Sequence, residues 1–148
     1  MLLPTAPSSI TTGTTDVSGT PLARKLGIKP GARLALIGAP DGFEGTLGQL
    51  PPGVSVRRSL RGRFDVAVAF FVQRRALGRR LPALTAALEP TGGLWIAWPK
   101  RSSGLDTDVT EGVVRELGLA AGLVDNKVCA VDRVWSGLRF VYRLPDRP

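Results

Sequence analysis

Short apolar runs alternating with helix-type segments constrain this chain more than any other feature. From residue 31 onward, Leu34–Gly38 (LALIG), Val66–Phe71 (VAVAFF) and Leu94–Trp98 (LWIAW) are continuous apolar stretches a few residues long. Runs of that length bounded by glycine and proline are typical of strands buried on both faces. Val54–Ser59 alternates and carries arginines, which predicts an outer strand. Leu77, Leu81, Leu84 and Leu88 step by 4, 3 and 4, placing four leucines on one helical stripe. Pro82 must kink that helix or mark its first turn. Pro90–Gly93 is expected to end it. Asp108-Val109-Thr110-Glu111 has capping-box-like spacing with Asp108 at the cap. Val109, Val113 and Leu117 then form a stripe, and Gly118 is the expected stop. Lys127–Val134 and Leu138–Arg143 alternate around Trp135-Ser136-Gly137, the pattern of an antiparallel hairpin. Strand–helix alternation implies an α/β three-layer sandwich: a mainly parallel sheet with helices on both faces, closed by the C-terminal hairpin.

The 148 residues suffice for one domain. Residues 1–20 are a Thr/Ser/Pro/Gly tract with too little apolar surface to offset the entropy of ordering, so a flexible tail is expected there and a single domain over 21–148. Pro21 to Gly27 reads as a short helix with Leu22 and Leu26 on one face. The single cysteine excludes an internal disulfide and a multi-cysteine zinc site, and zero histidines removes the usual general base and metal ligand. Cys129, on an alternating strand with no second Cys or His to activate it, reads as an inert core residue. Met1-Leu2-Leu3 runs straight into Pro4 without a secretory apolar stretch, and no run reaches the ~20 residues of a membrane span, so a cytoplasmic protein is expected. Asp106 and Asp108 alone are a weak basis for a divalent cation, and no metal is expected.

The net charge is +8, and residues 57–80 supply most of it: Arg57, Arg58, Arg61, Arg63, Arg74, Arg75, Arg79 and Arg80 stand against Asp65 alone. Such a cluster suits nucleic acid or an acidic protein. Sixteen of the twenty basic residues are arginine, so a solvated surface shaped by codon bias is the simpler account. No helix-turn-helix or zinc-finger spacing accompanies it.

The layout resembles the class I methyltransferase fold, shortened by one strand–helix unit, over about residues 22–145. Lys29–Leu34 resembles the lead-in to that fold's first strand, Phe64–Val68 its FDVV-like strand, and Leu88–Ile96 its L-x-P-G-G strand entry. The resemblance implies a glycine-rich turn that lets the backbone approach S-adenosylmethionine. In that frame stand Gly38, Asp41, Gly42 and Phe43, with Pro40 in the middle position, where it fixes φ and removes an N–H. The carboxylate that the fold places after strand two to hold the ribose is replaced by Arg57 and Arg58. A closer resemblance is to an uncharacterised bacterial family common in actinobacteria. It rests on Trp98–Gly104 (WPKRSSG), Thr107–Glu111 (TDVTE) and Val128–Leu138 (VCAVDRVWSGL), and implies no chemistry.

In an open parallel sheet, ligands bind outside the carboxyl ends of the strands. Gly38–Phe43 and Pro99–Asp108 are expected to meet there. Lys100, Arg101, Ser102 and Ser103 would offer cations and hydroxyls to an anion, with Asp108 and Trp135 beside them. The expectation is therefore a small methyltransferase-like domain that binds or regulates without catalysis and needs no cofactor. The alternatives are an S-adenosylmethionine-dependent methyltransferase with an atypical loop, and an arginine-driven binder of nucleic acid or acidic protein.

Overall fold

A computed structural model describes residues 21–143. The expected tail, residues 1–20, lies outside them. The elements run α1 (Leu22–Lys25), β1 (Arg33–Ile37), α2 (Phe43–Leu47), β2 (Ser55–Arg57), β3 (Phe64–Phe70), α3 (Arg74–Ala87) and β4 (Leu88–Pro99). A 3-10 turn (Arg101–Ser103) then leads to α4 (Glu111–Ala120), β5 (Leu123–Ala130) and β6 (Trp135–Tyr142). The six strands make one sheet in the order β2-β1-β3-β4-β6-β5. The pairs β1–β2, β1–β3 and β3–β4 are parallel, and β4–β6 and β5–β6 are antiparallel.

Alternate residues of the buried strands point to opposite faces, the period of a pleated sheet. Leu34, Leu36, Val66, Val68, Trp95 and Ala97 pack with Leu22, Leu26, Phe43 and Leu47 of α1 and α2 and their flanks. Ala35, Ile37, Ala67, Ala69, Leu94 and Ile96 pack on the other face with Leu77, Leu81 and Leu84 of α3 and Val114 of α4. Leu77, Leu81 and Leu84 are thus buried on α3 as their spacing predicts, whereas Leu88, also buried, is extended and already opens β4. On the first face the cover is two short helices, and it is anchored by Trp95, which is fully buried and donates its indole N–H to the Leu26 carbonyl at 2.9 Å.

Four boundaries differ from the sequence expectation. Pro90–Gly93 does not separate helix from strand: α3 ends at Ala87, and β4 passes straight through these residues to Pro99. The irregularity appears instead as a register shift against β3 between Phe64 and Val66. A Cβ on Gly92 would lie 2.5 Å from the Asp65 carbonyl oxygen, so this strand segment needs glycine for lack of space. Pro82 sits inside α3. The cap of α4 is Thr110, whose hydroxyl accepts from the Val113 N–H at 3.2 Å, because the Asp108 carboxylate is taken elsewhere. Val109 is buried ahead of that helix. Gly118 is interior to α4, which runs on to Ala120. Finally, the hairpin turns at Val131–Val134, and Trp135-Ser136-Gly137 already belong to β6. Asp132 sets that turn: its Oδ1 accepts from the backbone N–H groups of Val134 and Trp135, each at 2.8 Å.

Candidate ligand-binding edge

The four parallel strands all end on one edge of the sheet, and their following segments carry the candidate residues. After β1 come Gly38, Ala39, Pro40, Asp41 and Gly42. Gly38 has φ +68°, and a Cβ there would stand 3.1 Å from the Phe70 carbonyl oxygen, so loop and β3 are in close approach. Gly42, at φ +81°, turns the chain into α2. Asp41 and Gly42 are exposed, whereas Phe43 points inward and is 2% exposed.

Phe43 begins an aromatic chain across this edge. Its ring meets Phe70 edge-on with centroids 4.9 Å apart, and Phe70 meets Trp135 edge-on at 5.0 Å. Trp135 stands opposite Pro99 in the β4–β6 ladder. The loop after β1 and the loop after β4 are thus joined through three aromatics in edge-to-face contact. Spacing alone gave no sign of this arrangement, since the three residues lie far apart in sequence.

After β4, the Lys100 N–H donates to the Val134 carbonyl at 2.7 Å, tying this loop to the hairpin turn. Ser103 Oγ donates to the Lys100 carbonyl at 2.6 Å and accepts from the Leu105 N–H at 3.2 Å, so it shapes the turn. Arg101 and Ser102 are exposed and Lys100 is half-buried. Neither Lys100 nor Arg101 has a side-chain partner among the described residues. Trp135 is half-buried, and its indole N–H likewise has no partner among the described residues.

Thr107 and Asp108 are engaged locally. Thr107 Oγ1 donates to the Val72 carbonyl at 2.7 Å and accepts from the Val109 N–H at 3.0 Å. Asp108 Oδ1 accepts from the backbone N–H of Arg74 at 2.6 Å, so it caps α3 across the fold. Together with Val72, Gln73, Arg75 and Asp106 they line a cleft of about 510 Å³ on this edge. A larger concavity, about 780 Å³, lies under α1 between residues 21–30 and 46–52. It sits where the chain enters β1 and β2, away from the strand ends where Rossmann-like sheets bind ligands. No group of three or more candidate metal ligands exists among the described residues.

The β2 end carries its own electrostatics. Arg58 is ion-paired with Glu44 of α2, at 3.2 Å from its Nε, and this bond holds the Glu44 carboxyl below its ordinary range. Arg57 donates to the Arg63 carbonyl at 3.2 Å. The opposite edge holds the densest ion network, which sequence reasoning missed. Arg33 donates to Asp65 from its backbone N–H at 2.8 Å and from Nε at 3.1 Å, and it also contacts Glu89, which Arg63 approaches at 3.2 Å. Hydrogen bonding from Arg33 holds both carboxyls below their usual range and raises the arginine's own pKa. The network joins the starts of β1, β3 and β4. Cys129 lies half-buried on β5 against the α1/α2-side core.

No family model matches the chain, and no curated protein sequence matches it. Solved structures do. A SAM-dependent methyltransferase from Aquifex aeolicus is 15% identical with a TM-score of 0.60, covering 80% of this chain and 86% of its own. The mitomycin 7-O-methyltransferase MmcR is 12% identical with a TM-score of 0.61 over 76% of this chain, which spans only 49% of that protein's length. Magnesium protoporphyrin IX methyltransferase from Synechocystis PCC 6803, solved with bound SAH, is 12% identical with a TM-score of 0.54, covering 82% of this chain and 78% of that one. The fold is that of class I methyltransferases. At this identity the likeness extends to the fold alone.

The residues at the two places that would hold this fold's cofactor do not match its usual contacts. Pro40 offers no N–H in the middle of the β1 loop. At the end of β2, two arginines stand in place of the ribose-binding carboxylate, and the nearby Glu44 carboxylate is occupied by Arg58.

Proposed function

We propose that the protein is a non-catalytic binding domain on the methyltransferase fold, taking a small anionic ligand at the carboxyl edge of the sheet. One observation carries the reading: Lys100 and its neighbour Arg101 have no side-chain partners among the described residues, and the Lys100 backbone N–H is bonded to the turn that presents the half-buried Trp135. Two cations left without a carboxylate beside an aromatic wall suit a negatively charged ligand. Ser102 adds an open hydroxyl, Ser103 shapes the turn, and Asp108 acts through α3 by holding its first N–H.

The test uses pyrophosphate and citrate as probe anions, with sodium chloride at matched ionic strength as control. The thermal unfolding midpoint should rise with one of them in the wild type, and the rise should be smaller in Lys100→Ala and Arg101→Ala. No rise, or an equal rise in both variants, contradicts the proposal.

A second reading, an S-adenosylmethionine-dependent methyltransferase with an atypical loop, is the one that the methyltransferase neighbours support better than the first, and it is also favoured by the β1 loop, where Gly38 and Gly42 keep left-handed conformations that glycine adopts without strain. In that reading Gly38, Asp41, Gly42 and Phe43 would contact the cofactor. Binding of SAH separates the two readings.

A further inference from the structure

The arginine cluster of residues 57–80 divides into two groups. Arg58, Arg63 and Arg74 each pair with a carboxylate, on Glu44, Glu89 and Glu116 respectively, and Arg57 lies within the field of Asp65 while donating to a carbonyl. Arg61, Arg75, Arg79 and Arg80 are exposed, and their side chains have no hydrogen bond or ion pair among the described residues. Codon bias explains many arginines, but it does not explain why the uncompensated ones share one side of the molecule.

Helix geometry gives their arrangement. At 3.6 residues per turn, Arg75 and Arg79 lie about one turn apart on the side of α3 opposite the buried Leu77, Leu81 and Leu84. Arg74 leans to one flank, where it meets Glu116 of α4. Arg80, six residues on, falls on the other flank. The β2–β3 loop runs on that second side: Leu60 packs into the same core as the α3 leucines, and Arg63 Nη2 donates to the Leu88 carbonyl just past the helix. Arg61 belongs to this loop. No Asp or Glu occurs in α3, and two arginines occupy its first turn, where the helix dipole disfavours cations. Asp108 caps this end and Glu116 pairs with Arg74, which leaves Arg75 as the first-turn cation without an ion pair among the described residues.

We infer that the outer face of α3 and the adjoining β2–β3 loop bind double-helical nucleic acid through its phosphates, without reading sequence. The chemistry of the face selects this partner. The exposed α3 residues among the arginines are Gly78, Pro82, Ala83 and Ala86, small enough for a phosphate backbone to approach closely. None is the buried aromatic or large apolar anchor on which protein interfaces depend. The neighbouring aromatics Phe64, Phe70 and Phe71 are buried, which leaves no stacking platform for single strands. What remains is a charge array, and the duplex, with one charge per ~1.7 Å of axis, is the denser match. Arg75 shares its cleft with Asp106 and Asp108, so the contact centres on Arg61, Arg79 and Arg80.

Fluorescence anisotropy with a labelled DNA duplex of arbitrary sequence, titrated across a range of salt, tests this directly. The wild type should bind at low salt, with log K falling against log[salt] by about 0.9 for each phosphate neutralised, a slope of roughly −3 to −4 for four arginines. Arg61→Ala/Arg79→Ala/Arg80→Ala should cut the slope by about three units while unfolding at an unchanged temperature. Arg24→Ala/Lys29→Ala, away from this face, should leave it intact. The inference is overturned by absent binding at low salt, by an undiminished slope in the triple variant, or by polyglutamate competing as well as unlabelled duplex, which would mark an acidic protein as the partner.

Discussion

Gly38 shows how one residue connects fold and candidate site. It ends β1 at φ +68° with its α-carbon turned toward the Phe70 carbonyl, so a methyl group meets both a left-handed backbone and a 3.1 Å contact. Gly38→Ala should lose about 1–2 kcal/mol in urea unfolding, the usual cost of the left-handed region for a residue with a Cβ. That glycine was legible as a turn residue from the sequence. Its neighbour Phe43 was legible only as part of a motif frame, because nothing in the spacing reveals a ring that turns inward to meet Phe70. Asp108 illustrates the same limit in reverse. Local spacing offers it as the cap of α4, and it caps α3 instead, a long-range choice that depends on how two loops meet.

At the scale of elements, the legible features were those with a strong period. The leucine stripe of α3 and the continuous apolar strands are set by burial, and burial leaves a direct imprint on sequence. Boundaries were less legible where glycine serves packing and conformation alike. Gly118 reads as a helix stop, yet it sits within α4, where a Cβ would come 2.1 Å from Phe140 Cε1. It is glycine because helix and sheet touch there. Gly118→Ala should therefore destabilise by about 1–3 kcal/mol, the range for overpacking, although alanine is the better helix former. A gain in stability by chemical denaturation would show that α4 can shift to make room. The hairpin was misplaced for a related reason: its turn depends on Asp132 accepting two backbone N–H groups, while Trp135-Ser136-Gly137 carried the more obvious turn composition.

For the whole molecule, the sheet is clamped electrostatically at one edge and decorated with uncompensated cations at the other and along α3. The clamp sets a pH dependence. Asp65 and Glu89 have folded-state pKa values depressed chiefly by hydrogen bonds from Arg33, so their contribution is present above the ordinary carboxylate range and lost as pH falls through the depressed values. Arg33→Ala should lower the unfolding temperature at pH 7, and the gap from wild type should narrow as the pH falls below the ordinary carboxylate range and the two depressed carboxyls become protonated. An equal gap at neutral and acid pH would mean that the arginine acts through packing. Among the described residues, no helix is long and apolar enough to cross a membrane.

The central claim is that a methyltransferase fold here has a carboxyl edge adapted to an anion and lacks the fold's ordinary cofactor contacts. Isothermal titration of the purified full-length chain with SAH, backed by its thermal unfolding midpoint, tests that claim most directly. The account predicts no saturable heat and no shift at millimolar SAH. Saturable binding contradicts it: at 100 times the dissociation constant the ligand would stabilise the fold by about 2.7 kcal/mol, a shift of several degrees, and the methyltransferase reading would stand despite Pro40, Arg57 and Arg58.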